Sequence, residues 1–204
     1  MKKTLVCFFF FLISSSNLFA NNIAASYQAS FVSEAAGNYA QAISDLKGLY
    51  QKYPLGYTLN YRLGWLFYKN KAYANSEYHY KRAIKVSPES IEARLSYESL
   101  LMAQLKWEEL EEISAVIVQK DRYSYLGNLR YMIALIKRQK FPEAIKIGVK
   151  MSKLYPTDMD YLFYTAAAYE GNNEKKQALK YYQALLILSP INQVAQSKVA
   201  LLSN

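Results

Sequence analysis

The chain has 204 residues, with 25 lysines and arginines against 16 aspartates and glutamates, and a formal net charge of +9. Its single cysteine and single histidine exclude a disulfide framework and a histidine-rich metal site, because each needs several such side chains. A positive charge suits acidic partners. The basic residues are scattered, however, and a merely basic solvated surface is the interpretation that we favour.

Residues 1–20 have the layout of a secretory signal peptide. Lys2 and Lys3 precede a run of about ten apolar residues, and a polar stretch then ends in the small residue Ala20. The apolar run is shorter than the roughly twenty residues that a membrane span needs. We therefore expect an exported chain, periplasmic or secreted, that is cleaved near Ala20 and loses Cys7. An uncleaved anchor is the alternative.

The prolines define an internal repeat. Pro54, Pro88, Pro156 and Pro190 share one phase of a 34-residue period, and Arg122 occupies the remaining position of that phase. Small residues recur at two fixed places before the phase position, which indicates two closely packed helices in each period. Apolar residues follow helical spacing throughout, and no stretch alternates as a strand would. The sequence therefore predicts an all-α fold.

The predicted repeat domain spans residues 21–190 and is followed by a capping helix over residues 191–204, which covers the last apolar face. Its five helix-turn-helix repeats cover about residues 23–56, 57–90, 91–124, 125–158 and 159–192.

The second repeat carries the pattern most fully, through Leu63-Gly64, Tyr68, Tyr73, Tyr80, Ala83 and Pro88. With these residues the chain resembles the tetratricopeptide repeat family. The first, fourth and last repeats match in part, through GNYAQAI, FPEAI and QALKYYQALLILSP. The third repeat departs from the pattern, since Glu98 stands where a small residue is expected. That repeat is either locally splayed or has a partner for Glu98.

The resemblance implies where a partner binds. In this family the helix pairs stack into a right-handed superhelical solenoid, and the first helix of each pair lines a concave groove. The middle of this groove is expected to be aliphatic, with Leu129 and Ile133 among its residues. The residues that we expect to contact a ligand are Tyr27, Phe31, Tyr61, Trp65, Tyr68, Lys69, Met102 and Lys137.

Trp65 is the most informative of these residues, because the family usually has a small polar residue in its place. A large aromatic side chain in a groove is typical of an anchor for a peptide or a sugar ring. Phe31 occupies the same place one repeat earlier. The pair could equally contact the N-terminal segment or a second copy of the chain. For Tyr61 and Tyr68 a structural role is slightly favoured, since tyrosines there pack on the neighbouring repeat in the family.

No motif points to an enzyme. The chain has no phosphate-binding glycine loop and no HExxH, GxSxG or CxxC motif. His79 is expected to face solvent on the outer surface, without the companions that a metal ligand needs. We expect no cofactor, no metal and no nucleic-acid partner. The family's clamp for a C-terminal carboxylate is not expected either, because Arg62 and Arg130 lack its asparagines.

These features predict a non-enzymatic protein–protein interaction scaffold or adaptor in the cell envelope, which binds a peptide or protein segment in an aromatic groove. Two alternatives stay open. One is a glycan-binding repeat protein of polysaccharide export, which the aromatic groove and the positive charge suggest. The other is a scaffold that associates with copies of itself, the groove of one copy taking the first helix of the next.

Overall fold

The computed structural model of the protein describes residues 22–203. The predicted signal peptide and its cleavage site near Ala20 lie outside the described residues. Within the described part of the chain there are eleven helices and no strand, so the predicted all-α class is confirmed. The helices are α1 (22–35), α2 (Tyr39–Lys52), α3 (Tyr57–Lys69), α4 (Tyr73–Val86), α5 (Ile91–Ala103), α6 (Trp107–Lys120), α7 (Tyr125–Lys137), α8 (Phe141–Leu154), α9 (Met159–Gly171), α10 (Lys175–Leu188) and α11 (Gln193–Leu202).

The described chain divides into two compact units, residues 22–93 and 94–203. In the first unit α3 packs against α2 and α4 around a core that includes Leu46, Leu63 and Leu66. In the second unit α9 packs against α8 and α10, and α11 lies on α10 with Ala195 fully buried. Each unit is thus built from helices that contact their neighbours in sequence, as a repeat architecture requires.

The turn inside every repeat contains one residue in the left-handed region of backbone space. These residues are 34 positions apart, and only Gly37 is a glycine; the others are Lys71, Leu105, Gln139 and Asn173. The first helix ends there because the backbone N–H of the next residue turns back to its carbonyls, as from Ala72 to Phe67 O at 2.9 Å. Most side chains are strained in this region, whereas glycine and asparagine tolerate it, so the turns at Lys71, Leu105 and Gln139 carry a local cost.

The small residue that recurs in the first helices marks close helix contact. A Cβ added at Gly64 would lie 2.6 Å from the ring of Tyr80, which is itself buried. In the first repeat the fully buried Ser30 donates from its hydroxyl to Ala42 O at 2.8 Å. These contacts explain why the position excludes large apolar side chains in the first two repeats.

Glu98 occupies the same position in the third repeat and has partners there. Its side chain is fully buried, accepts a hydrogen bond from Ser114 Oγ and lies 3.2 Å from Arg130 Nη1. Burial nevertheless raises the pKa of Glu98 to about 7, with the Ser114 hydrogen bond and Arg130 acting in the opposite direction. Of the two possibilities left open by the sequence, the structure therefore supports pairing.

Arg122, which replaces a proline of the repeat, keeps the role of that position through its backbone carbonyl. The side-chain amide of Asn60 donates to Pro54 O at 2.9 Å, and that of Asn128 donates to Arg122 O at 3.2 Å. Gln196 makes the same contact to Pro190 O at 2.7 Å. The contact needs only a backbone carbonyl, which any residue supplies, and so Arg122 makes it without a proline ring.

Candidate functional site

A buried arginine organises the groove-facing residues of the first unit. Arg62 on α3 is only 7% exposed, and its guanidinium donates to Ser30 Oγ at 2.9 Å and to Glu34 Oε2 at 2.9 Å. The ring of Phe31 covers the same guanidinium, with its centroid 3.6 Å from the Cζ atom. An arginine that is held by a carboxylate, a hydroxyl and an aromatic face has little freedom to move.

Glu34 connects this arginine to Trp65. The second carboxylate oxygen of Glu34 accepts a hydrogen bond from the indole Nε1 of Trp65 at 2.6 Å. One carboxylate on α1 thus fixes two side chains on α3, namely the buried Arg62 and the 38% exposed Trp65. Charge-assisted hydrogen bonds of this kind are stronger than neutral ones, so the indole ring is held in one orientation.

Lys69 and Tyr68 complete the exposed surface around Trp65. The ammonium of Lys69 lies 5.3 Å from the centroid of the Trp65 ring and 5.6 Å from that of Tyr39. The Tyr68 ring is 6.0 Å from the Trp65 ring. Phe31 is 56% exposed and Lys69 is also exposed, whereas Tyr68 is half-buried. We call Phe31, Trp65, Tyr68 and Lys69 the aromatic patch.

The other predicted ligand contacts have different surroundings. Tyr27 is half-buried and packs on the core of the first unit, and burial raises its pKa although Arg62 acts in the opposite direction. Tyr61 is half-buried, with its ring 6.1 Å from Tyr57 and 6.2 Å from Tyr80. Met102 is half-buried against the core of the second unit. In these three residues most of the side chain contacts the protein itself.

Lys137 is exposed at the end of α7, in the second unit, and its ammonium lies 5.7 Å from the centroid of the Trp107 ring. In the expected aliphatic middle of the groove, Ile133 lines a pocket together with Ile136, although little of its own surface is free. Leu129 and Ile133 are 7% and 6% exposed and belong to the core of the second unit. They are buried because α7 packs against both α8 and α9 and so has little free surface.

The expectation that His79 faces solvent is also wrong. His79 is 6% exposed, its ring stacks on Phe67 with centroids 5.3 Å apart, and its Nδ1 lies 2.9 Å from Asn60 Oδ1. Because that amide oxygen can only accept, Nδ1 carries the proton and donates it. Burial, with a smaller contribution from Arg82, lowers the pKa of His79 to about 4. The histidine is a neutral core residue.

The sequence contains a sign of the role of Arg62, namely the regular spacing of equivalent basic residues. Arg62, Arg130 and Lys198 are 68 residues apart, so they occupy equivalent places two repeats from each other. Each forms an ion pair with a glutamate of the preceding repeat, namely Glu34, Glu98 and Glu170. Only in the first of these pairs does the glutamate also bind a tryptophan, which distinguishes the aromatic patch from a purely structural ion pair.

The described residues contain no group of histidine, cysteine, aspartate and glutamate side chains that could hold a metal ion. No helix in this part of the chain is long and apolar enough to cross a membrane.

Comparisons with known proteins agree with the repeat architecture. Tetratricopeptide repeat profiles match residues 34–91 and 160–190. No match was found among curated protein sequences.

Several solved structures have the same fold at low sequence identity. A tetratricopeptide repeat protein from Parabacteroides merdae is 14% identical, with a TM-score of 0.81 over 89% of this chain and 72% of that one. The MamA protein is 14% identical, with a TM-score of 0.76 over 84% of this chain and 93% of its own. YrrB, described as a tetratricopeptide repeat protein with an unusual peptide-binding site, is 11% identical, with a TM-score of 0.74 over 82% of this chain and 87% of its own.

The matched segments, the 34-residue period and the helix pairs agree with one another. The chain therefore contains tetratricopeptide repeats within an all-α solenoid fold.

Proposed function

We propose that the protein is a non-enzymatic scaffold or adaptor of the cell envelope, and that it binds an extended segment of a partner protein at the aromatic patch. The observation that carries this proposal is the exposed Trp65, whose indole N–H is fixed by the same carboxylate that pairs with the buried Arg62. A fixed aromatic ring loses little conformational entropy on binding, and tryptophan is over-represented among residues that dominate binding energy.

The chemistry of the patch favours a peptide with an apolar side chain and an acidic group. Phe31 and Trp65 offer exposed ring surface, and Lys69 adds a positive charge next to them. The negative charge of Glu34 is compensated by Arg62, so the patch as a whole is positive. That a structural neighbour, YrrB, has a peptide-binding site supports a peptide as the ligand class.

The location in the envelope rests on the signal-peptide layout of residues 1–20. A fusion of residues 1–36 to a reporter that is active only outside the cytoplasm tests it. Export of the reporter, with loss of the first 20 residues by mass spectrometry, is the expected result. Retention of the reporter inside the cell would contradict the proposed location.

Affinity capture from an envelope extract tests the patch. The native protein is compared with Trp65→Ala, and Tyr123→Ala serves as a control, because Tyr123 is a 60% exposed aromatic residue in the other unit. We expect one partner protein to be lost with Trp65→Ala and retained with Tyr123→Ala, while helicity and melting temperature stay the same. Unfolding of Trp65→Ala would show that Trp65 is a core residue and would refute the assignment.

The same experiment separates the two alternatives. Recovery of untagged copies of the chain with the tagged one, dependent on Trp65, would indicate self-association instead of an adaptor. Retention of the protein on an acidic polysaccharide resin, lost in Trp65→Ala and in high salt, would indicate a glycan ligand.

A further inference from the structure

Three lysines of α8 are separated in the sequence but lie together on the folded helix. The side of α8 that faces the core is formed by Ala144, Gly148, Met151 and Ser152. Lys146, Lys150 and Lys153 follow one another by four and three residues, so they share the opposite side of the helix. Lys146 and Lys153 are exposed, and Lys150 is half-buried. We call these three lysines the basic edge.

The basic edge forms no ion pair with a carboxylate among the residues that the structure describes. The ammonium of Lys150 donates instead to Arg122 O and lies 5.1 Å from the centroid of the Tyr123 ring. A carbonyl and an aromatic face hold an ammonium in place without neutralising it. The positive charge of these lysines is therefore available to an anionic partner.

Two acidic residues are near the basic edge, and each has a local role. Asp121 accepts through Oδ1 from the backbone N–H of Tyr123 at 3.0 Å. Glu143 lies in the first turn of α8, where the helix dipole favours a negative charge. It is ten residues before Lys153, about 15 Å along the helix. The positive charge is thus concentrated toward the C-terminal end of α8.

An exposed aliphatic side chain lies at the same end of the helix. Leu154 is 49% exposed and follows Lys150 by four residues, which places the two side chains next to each other. Lysines beside an exposed aliphatic residue match the surface of an anionic bilayer, where the lysines meet headgroups and the apolar side chain reaches the acyl boundary. An acidic polysaccharide would use the charge alone.

The same combination recurs 68 residues earlier, at the end of α4 in the first unit. The residues in the places of Lys150, Lys153 and Leu154 are Arg82, Lys85 and Val86. Arg82 donates from Nε to Pro54 O at 2.8 Å, which is the contact that Lys150 makes to Arg122 O. Lys85 is exposed, and Val86 is 40% exposed. A cation next to an exposed aliphatic residue is therefore a feature of both units.

From these observations we propose that the basic edge, together with Leu154, binds the surface of an anionic lipid bilayer. The lysines contact the phosphate groups of the lipids, and Leu154 enters the boundary between headgroups and acyl chains. This surface is separate from the aromatic patch, since all of its residues belong to α8 in the second unit. The inference does not depend on the peptide binding proposed for that patch.

Flotation of the purified protein with lipid vesicles tests the proposal. Vesicles of phosphatidylglycerol and phosphatidylcholine in equal parts should bind the protein, and vesicles of phosphatidylcholine alone should not. Binding should fall at least about ten-fold in about 0.5 M salt, because salt screens exposed charges. All variants are purified in the same form as the native protein, so that residues 1–20 contribute equally to each comparison. Equal binding to the two kinds of vesicle would overturn the proposal.

Two triple variants with the same change in charge locate the surface. The test variant combines Lys146→Gln, Lys150→Gln and Lys153→Gln. The control combines the exposed lysines of other elements, as Lys47→Gln, Lys71→Gln and Lys176→Gln. The test variant should bind the anionic vesicles at least about ten-fold more weakly, since one lysine near a bilayer surface contributes about five-fold, and the control should lose about two-fold at most. An equal loss in both would show that net charge alone drives binding and would overturn the assignment.

A fluorescent label tests whether Leu154 enters the bilayer. Cys7 is the only cysteine of the chain, so Cys7→Ser combined with Leu154→Cys gives one site for a nitrobenzoxadiazole label. Its emission should rise when anionic vesicles are added. Leu105→Cys is the matched control, because Leu105 is a 65% exposed leucine of the same unit in the turn before α6, and its label should not respond. Equal responses at the two positions would overturn the proposed contact.

Two further arms separate this inference from its neighbours. Retention on a polygalacturonate resin that depends on the basic edge, without binding to vesicles, would identify an acidic polysaccharide as the partner and refute lipid binding. Trp65→Ala should leave vesicle binding unchanged, and a loss in this variant would place the lipid contact at the aromatic patch instead. The vesicle assay thus distinguishes failure of the basic edge from failure of the aromatic patch, which the capture experiment measures separately.

Discussion

The carboxylate of Glu34 is expected to be the most sensitive polar group of the first unit, and Glu34→Gln tests this directly. The substitution preserves shape but removes the negative charge that faces Arg62 at 2.9 Å and Trp65 Nε1 at 2.6 Å. Arg62, which is only 7% exposed, then lacks the carboxylate that pairs with it. Breaking a buried ion pair costs about 3–5 kcal/mol. Because the Glu34 side chain is 22% exposed, we expect about 2 kcal/mol.

Urea unfolding followed by tryptophan fluorescence measures this cost. The chain has two tryptophans, so in a Trp107→Phe background Trp65 alone reports on the first unit. Glu77→Gln is the matched control, because Glu77 pairs with Lys81 on the same unit and Lys81 is 51% exposed. That control should cost no more than about 0.5 kcal/mol.

The double variant Glu34→Gln with Arg62→Met should recover part of the loss, because the buried charge is then also removed. If Glu34→Gln and Glu77→Gln destabilise the first unit equally, the carboxylate does not organise the site and the reasoning is refuted.

Further predictions concern packing, the turns and pH. Gly64→Ala should destabilise the first unit by about 1–3 kcal/mol in urea unfolding, because the added Cβ would lie 2.6 Å from the Tyr80 ring. Gly48→Ala is the control, since a Cβ there meets no atom within 4 Å, and it should stabilise the same unit by about 0.5–1 kcal/mol. Leu105→Gly should raise the unfolding free energy of the second unit by about 1 kcal/mol, because residue 105 has a φ of 56° and its side chain is 65% exposed; no gain would contradict the strain argument. His79 has a pKa of about 4 in the folded chain and an ordinary pKa of 6.5, so between these pH values the unfolded chain binds one more proton than the folded chain. The first unit therefore loses stability as the pH falls from 6.5 to 4, and the melting temperature of His79→Gln should depend less on pH over this range. Glu98 has a pKa of about 7 in the folded chain and an ordinary pKa of 4.5, so between these pH values the folded chain holds the extra proton and the second unit loses stability as the pH rises. If the melting temperature of Glu98→Gln depended on pH as steeply as that of the native protein, this reasoning would be contradicted.

The sequence predicted the helices well because the features that set them are local. The 34-residue spacing of the prolines and the buried small residues such as Gly64 and Ala166 mark the same places in most of the repeats. Helical periodicity then distinguishes the two helices of a repeat. The turn residues with positive φ were harder to find, because only Gly37 and Asn173 are of a residue type that such a turn favours.

The site was predicted less completely, because its geometry depends on pairs of side chains that are far apart in sequence. Phe31 and Trp65 were selected as aromatic residues at equivalent places, but their link through Glu34 and Arg62 joins residues 28–32 positions apart. His79 was misplaced for a related reason. A polar side chain on a helix was assigned to the surface, although Asn60 on the neighbouring helix supplies a buried partner for it.

The central claim is that an extended partner segment contacts the aromatic patch, and site-specific photocrosslinking tests it most directly. The photoreactive p-benzoylphenylalanine replaces Phe31, which is 56% exposed over Arg62, or, as a control, Tyr123 in the other unit. After illumination in envelope extract, mass spectrometry should identify one acidic peptide of one partner protein joined at position 31 and absent at position 123. Crosslinks of equal yield and identity at the two positions, or none at position 31, would contradict the account.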